Sequence, residues 1–345
     1  LEQKVFFTEN LRVMVKAGLS LAEALNTLAL QSESKFFRKV IVSVKEDVES
    51  GKLMSQGLVK FPKVFPDIFV SMIQIGEVSG TLEQSLSELT QQMKKDYNLR
   101  SKVKGAMTYP IVILVAMLGI TAGLFTFVLP KMLDIFKEFG NIQLPLPTRM
   151  LMAVNDFLQV HWLLAIGILV ALVIGFIAFY RTPFGKNLVH AALIAVPLIG
   201  PIVRKINLAR FARTLSGLLR TDIPVIQAIE VTSDVLGNLK YHKAVRGASE
   251  YVKKGDTISR ALQAHPKLFP PLVIMMVSVG ERSGTVDSLL ADVAEFYEAQ
   301  VDNVLDNMSS VIEPILILFL GGMVGGIALA VMVPMYTLTQ AISEQ

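Results

Sequence analysis

Residues 76–81 read GEVSGT and residues 280–285 read GERSGT. The offset of 204 residues between them also carries Gly51 onto Gly255, Pro62 onto Pro266, Phe65 onto Phe269, Pro66 onto Pro270 and Met72 onto Met276. Over residues 51–81 this register gives 13 identities in 31 positions without a gap. It holds from Phe7 onward, placing Pro110 on Pro314 and Pro130 on Pro334. A fixed offset sustained over such a length marks a duplicated unit. What one unit contains therefore decides the architecture.

Within each unit the apolar spacing is helical, as at Leu21, Leu25 and Leu28. Ser20 followed by Glu23 is a capping-box pattern that starts a helix. No persuasive strand-like alternation occurs. Pro62 and Pro66 break one helix from the next, and Asp67 to Ile75 is apolar enough to be the central buried helix of a small bundle. Gly76 is expected to end it. Thr81 is expected to cap the following helix with Gln84 reaching back, and that helix should continue to Lys104.

The 345 residues are 52% hydrophobic and 18% charged, more apolar and less charged than an ordinary soluble domain at about 45–50% and about 25%. Three uncharged runs explain the excess: Gly105 to Pro130, Phe157 to Tyr180 with His161 and Trp162 near its start, and Pro314 to Ile342. Each reaches the roughly 20 apolar residues that a membrane-spanning helix requires. A fourth apolar stretch, Asn187 to Val203, is interrupted by Pro197, Gly200 and Pro201 and reads as interfacial or buried. Before the first span stand Lys94, Lys95, Arg100, Lys102 and Lys104 against Asp96. After the second stand Arg181, Lys186, Arg204, Lys205 and Arg210 with no acid among them. Both flanks are expected on the cytoplasmic side. The connection between those spans balances Lys131, Lys137 and Arg149 with Asp134, Glu138 and Asp156 and suits the outside.

The fold expected is an all-α membrane protein with two homologous cytoplasmic helical-bundle domains and three transmembrane helices. Residues 1–104 form the first cytoplasmic repeat, 108–130 the first span, 131–158 a periplasmic connection and 159–180 the second span. Residues 181–310 form the second cytoplasmic repeat, 314–336 the third span and 337–345 a periplasmic tail. The unpaired second span returns the chain so that both repeats face one compartment. No cleavable signal peptide is visible, and Leu1 in place of Met suggests a trimmed or incomplete start.

The residue inventory excludes much chemistry. With no cysteine there is no thiol nucleophile, Cys-ligated zinc, iron–sulfur cluster or disulfide. Gly51-Lys52 and Gly185-Lys186 have Glu46 and Tyr180 where a phosphate loop requires its first glycine. His161, His190, His242 and His265 have no ligand spacing, and neither G-x-S-x-G nor H-E-x-x-H occurs. We therefore expect no catalytic, cofactor-binding or metal-binding residue, no enzyme activity and no cofactor. With 33 basic against 29 acidic residues, no nucleic-acid partner is expected. The spans carry only weakly polar groups such as Thr121 and Thr126, which disfavours transport, although a transporter or channel subunit is the alternative class. A signalling receptor, the third class, would need a larger outer segment.

Partner-contact candidates lie in the paired turns. Gly76, Gly80, Gly280 and Gly284 have a conformational explanation in helix ends and tight reversals. Glu77 and Glu281 either favour a helix dipole or contact a partner. Asp292, Glu295, Glu298, Asp302 and Asp306 fall on or near one helical face, solvated or docked to a basic partner. Glu313 beside Pro314, at the boundary of the third span, snorkels to water or pairs with a neighbouring base. Gly119 and Gly123 in the first span, and Gly321, Gly322, Gly325 and Gly326 in the third, allow close helix approach, within the chain or between copies.

Two helical units each preceding a span, FFTENLRVMVKAGLSLAEAL at 6–25 with its counterpart FARTLSGLLRTDIPVIQAI at 211–229, the paired GExSGT turns, Tyr109-Pro110 and Glu313-Pro314 resemble the GspF/PilC family. These are the multi-pass inner-membrane platform proteins of bacterial type IV pilus assembly and type II secretion, and the likeness covers essentially the whole chain. Where the family usually has Gly-x-Pro after its first helix, this chain has Gly18 with Ser20 and Asp222 with Pro224. Both arrangements keep a turn possible. The family's variable N-terminal extension is expected to be largely missing from these 345 residues. The resemblance implies a non-enzymatic homo-oligomeric platform with cytoplasmic domains docked on a hexameric ATPase. Its spans would lie beside pilin or pseudopilin helices and other inner-membrane assembly proteins. It further implies ATPase contact by both soluble units, with Glu77 and Glu281 as favoured positions, and helix alignment by Glu313.

Overall fold

The computed structural model describes residues 2–128, 130, 149, 153, 156–157, 160–197, 199–221 and 223–343. The expected periplasmic connection, 131–158, lies almost wholly outside the described residues, as does Asp222. Among the described residues every regular element is a helix.

Repeat one contains α1 (Glu2–Lys16), α2 (Leu21–Gln31), α3 (Lys35–Glu49), the short α4 (Met54–Leu58), α5 (Asp67–Ser79) and the start of α6 (Leu82–Gly123). After α7 (Trp162–Arg181) and α8 (Pro183–Ala195), repeat two follows with α9 (Gly200–Leu219), α10 (Val225–Val235) and α11 (Leu239–Lys253). It continues through α12 (Ile258–Gln263) and α13 (Pro271–Ser283) to the start of α14 (Val286–Ser343). The second, third and fifth helices of the two repeats start and stop 204 residues apart, so the duplication seen in sequence is a duplication of structure.

Local signals explain the boundaries. Ser20 accepts from the Glu23 amide while Glu23 reaches back to the Ser20 amide, closing the expected capping box of α2. Gly18 precedes it at φ +82°, in the left-handed region that glycine enters freely. The α2 equivalent in repeat two instead begins after Pro224. α5 and α13 start after Pro66 and Pro270, where a fixed φ suits the first turn. They end at Gly80 and Gly284 with φ +73° and +74°.

The expectation that Gly76 stops its helix is corrected: α5 continues through it to Ser79. Gly76 is buried, and a Cβ there would lie 2.6 Å from Ser85 Oγ and 2.9 Å from Leu82 Cα. Its missing side chain admits the next helix, whereas Gly80 supplies the reversal. Gly280 repeats this, with Val286 Cα 2.7 Å from such a Cβ. The Thr81 hydroxyl lies 2.6 Å from that of Ser79, so it is engaged within the turn.

Both repeats and the beginnings of α6 and α14 make up one compact unit, residues 1–102 and 186–304. In repeat one Phe7 meets Phe37 and Phe65 at centroid distances of 5.7 Å, and Phe65 meets Phe69 at 4.9 Å. Repeat two builds the same nucleus from Phe211, Phe269 and Tyr241, with separations of 5.3 and 5.6 Å. Tyr241 stands where repeat one has Phe37, and its buried hydroxyl is satisfied by donating to the Leu268 carbonyl at 2.8 Å.

The second unit comprises residues 103–185 and 305–345. It contains the C-terminal parts of α6 and α14, with α7 in full and a π-helical turn, Leu124–Val128, after α6. Leu118, Phe127, Leu172, Phe176, Leu318 and Phe319 are each 60–76% exposed, a surface suited to hydrocarbon contact. Two helical stretches, Leu82–Phe127 and Val286–Gly326, are long and apolar enough to cross a bilayer. α7 adds an apolar helix of 20 residues, about 30 Å long. α6 and α14 are held against each other where the Thr121 hydroxyl contacts Met323 Sδ at 3.1 Å. α8 and α9, spanning the 187–203 stretch, meet at a bend of 105°. α8 buries His190 and Ile194 while exposing Phe184 and Leu188.

Candidate functional site

The paired turn glutamates act inside their own repeats. Glu77 leaves the last turn of α5 and accepts from the amides of Met54 and Ser55 at 2.6 and 2.9 Å. Those are first-turn donors of α4 that have no partner within the helix, and its N-cap position, Leu53, has no side chain able to cap it. Glu281 repeats the bond on α12, accepting from the amides of Ile258 and Ser259, and adds the Ser259 hydroxyl at 2.6 Å. From sequence these carboxylates are expected to favour a helix dipole or to contact a partner. The structure places both on a helix N-terminus more than 20 residues upstream, which no local pattern reveals.

A second carboxylate organises repeat one alone. Asp47 on α3 is nearly buried, with a salt bridge of 2.9 Å to Lys52 and another to Lys60. Hydrogen bonds from Lys60 and then Lys52 hold its carboxyl below the usual range, against the opposing effect of burial.

The surface where the repeats meet is lined with charged pairs. α6 of repeat one lies along α9 and α14 of repeat two. Arg213 donates through Nε and Nη2 to the two oxygens of Glu298 at 2.9 and 3.0 Å, and Lys95 reaches the same carboxylate at 3.0 Å. Arg210 places Nε and Nη2 3.0 and 2.7 Å from Asp96 Oδ1. Arg100 takes the other Asp96 oxygen at 2.8 Å. Gln92 donates to the Thr214 hydroxyl at 3.0 Å, and Lys102 meets Asp302 at 2.6 Å. Thus Glu298 and Asp302, two members of the acidic series, face bases of this same chain. Between the repeats lies a cavity of about 470 Å³ whose wall includes Lys4, Phe69, Leu89, Met93 and Arg100. Burial, then the charge of Arg100, lowers the Lys4 pKa.

Arg213–Glu298 has an inverted counterpart. In the 204-residue register Arg213 falls on Glu9 and Glu298 on Lys94, and Lys94 meets Glu9 at 2.6 Å. The same helix-to-helix contact is kept in both copies with acid and base exchanged.

At the remaining candidates the structure is less crowded. A Cβ added at Gly119, Gly123, Gly321, Gly322, Gly325 or Gly326 would meet nothing within 4 Å. Pro110 is buried within the continuous α6, and α14 likewise runs through the exposed Glu313 and Pro314. Among the described residues, no group of three His, Asp or Glu side chains is placed to hold a metal ion.

The family described as "Type II secretion system (T2SS), protein F" matches residues 7–130 and again residues 211–334, two segments in the same 204-residue register. The type IV pilus assembly protein PilC of Myxococcus xanthus is 36% identical over 336 residues, covering 97% of this chain and 80% of that protein. PilC of Thermus thermophilus is 35% identical over 345 residues, covering 100% and 84%. The type II secretion system protein F of Pseudomonas aeruginosa is 32% identical over 335 residues, covering 97% and 82%.

Proposed function

The chain belongs to the type II secretion system protein F family, and from that premise we propose that it is the inner-membrane platform of a type IV pilus or type II secretion machine. In this role it couples a cytoplasmic hexameric ATPase to the insertion or extraction of pilin or pseudopilin subunits, and performs no catalysis itself. The observation that carries the reading is the joint between the repeats. Glu298 and Asp96 draw Lys95, Arg100, Arg210 and Arg213 into one charged seam. A partner that grips one repeat thereby moves both, and α6 and α14 continue from the two repeats into apolar stretches.

In this reading both repeats face the cytoplasm, and the apolar helices cross the bilayer more than once. Gly119-x-x-x-Gly123 and Gly321-x-x-x-Gly325, open along their faces, serve association between copies or with pilin stems. Glu313 aligns the membrane helices at the boundary. Glu77 and Glu281 act on ATPase recruitment through the turn and short helix they fix in place. Gly76, Gly80, Gly280 and Gly284 shape the same feature.

The test is reconstitution. The detergent-solubilised chain should retain its cognate ATPase and pilin in a pull-down while turning over no ATP, and a deletion strain should lose filaments or secretion. Solute flux through liposomes carrying the chain alone, with no retention of either partner, would support the transporter class and overturn the platform reading.

A further inference from the structure

The joint between the repeats is formed from two different surfaces. α5 and α6 of repeat one lie against α10 and α9 of repeat two. Gln92 meets Thr214 and Asp96 meets Arg210, while a Cβ at Gly217 would stand 3.9 Å from Gln92 Oε1 and 4.0 Å from Glu88 Oε2. A heterologous contact of this kind uses one surface of each copy and leaves the other free. The free counterparts are α13 and α14 on repeat two and α1 and α2 on repeat one.

Both free surfaces are apolar. Leu272, Met275 and Val279 are exposed on α13, and Phe296 on α14 is 45% exposed. Ile274 and Met276 are only partly buried, whereas Val70 and Met72, at the same positions of α5, are buried. On repeat one Val13 is 51% exposed and Leu30 is exposed, where repeat two has Gly217 and Asp234. The exchanges are also matched across the joint. Gln300 stands in place of Asp96 and Phe6 in place of Arg210, so both charges of that pair are replaced together. Phe296 stands in place of Gln92, and Val13 in place of the Gly217 that faces it. Replacing one side alone would strand a charge in the contact. Replacing both turns a polar joint into an apolar one.

The Lys95–Glu298 and Lys102–Asp302 pairs follow α6 and α14 in the same chain direction, so these helices run parallel. The operation that carries repeat one onto repeat two therefore preserves chain direction, and applying it again sets the next copy upright in the same bilayer. We propose that α13 and α14 of one copy receive α1 and α2 of a second copy, in the geometry that joins the repeats within each chain. Phe296 then packs on Val13 of the neighbour, and copies associate head to tail. This contact is additional to the glycine faces and independent of ATPase and pilin retention, which the pull-down reads separately.

The test uses two differently tagged forms of the full chain, Val13→Cys and Phe296→Cys, co-expressed and oxidised with copper phenanthroline in isolated membranes. The mixed pair should give a disulfide-linked dimer carrying both tags. Either form alone should not, and neither should Phe296→Cys with Val59→Cys, at an exposed control site. Adding Gln300→Asp to the first chain or Phe6→Arg to the second should each lower the mixed yield about fivefold, and adding both should restore it by recreating the Asp96–Arg210 pair between copies. Dimers of Val13→Cys alone or Phe296→Cys alone, a mixed yield no higher than the control, or no recovery in the combined variant would overturn the proposal.

Discussion

Arg213 on α9 holds Glu298 on α14 through two parallel hydrogen bonds of 2.9 and 3.0 Å, in the place where the first repeat has Glu9 and Lys94. Both second-repeat side chains are only about one-fifth exposed, at 22% and 20%, and Lys95 of repeat one shares the carboxylate. Glu298→Ala would leave two bases facing each other without their acid. It should cost about 2 kcal/mol of stability. Glu9→Ala, which removes a more exposed pair, should cost under about 1 kcal/mol. Thermal unfolding of the detergent-solubilised variants checks the order. The double-mutant cycle of Lys95→Ala with Glu298→Ala should show coupling across the repeats.

The turn glycines should separate into two kinds. Gly76→Ala and Gly280→Ala drive a methyl group against backbone atoms of the following helix, at 2.9 Å for Leu82 Cα and 2.7 Å for Val286 Cα, and should each cost about 3 kcal/mol. Gly80→Ala and Gly284→Ala meet no atom within 4 Å and strain only the left-handed backbone, at about 1 kcal/mol. Melting temperatures of the four single variants make the comparison.

Glu77→Ala removes the acceptor for two first-turn amides of α4 and should cost about 1–2 kcal/mol. Glu281→Ala should cost at least as much, because the Ser259 hydroxyl also loses the shorter of its two hydrogen bonds. Stability and ATPase recruitment are expected to decline together. Recruitment lost at an unchanged melting temperature would show the carboxylates touching the partner directly.

Asp47 makes the first repeat sensitive to acid. Its carboxyl is depressed in the folded state by Lys60 and Lys52. The stabilisation is therefore present above the unfolded carboxylate pKa, near 3.9, and is lost as pH falls through the lower folded value. Melting temperature plotted against pH should drop on the acid side for the parent chain and drop less for Asp47→Asn, while the two curves run parallel above about pH 5.

The duplication, the helical class and the apolar segments could be read from residues because each leaves a local trace: a fixed offset, a 3.6-residue spacing, a run without charge. Ser20 with Glu23 formed the capping box that its spacing predicts. Gly76 does not end its helix as expected, because a glycine needed for close approach and one needed for positive φ look alike in sequence, and only the packing of Leu82 and Ser85 separates them. The destination of the Glu77 carboxylate was hidden because its partners lie 22 and 23 residues away. The seam between the repeats was hidden more deeply, since Lys95 and Glu298 are 203 residues apart and each resembles a solvated surface charge. The inversion of Glu9 and Lys94 into Arg213 and Glu298 was present in the alignment of the repeats. It becomes legible only when both contacts are known.

Sidedness tests the whole account most directly, and a chain without native cysteine allows it to be read cleanly. Lys52→Cys and Lys254→Cys occupy matching exposed sites, two residues apart in the repeat register, and Gly140→Cys lies in the connection between the first two apolar stretches. With an impermeant maleimide on intact cells, only the cysteine at 140 should react, and those at 52 and 254 should react together once the membrane is opened. Labelling of either repeat from outside intact cells would contradict a platform whose two halves are moved by one cytoplasmic motor.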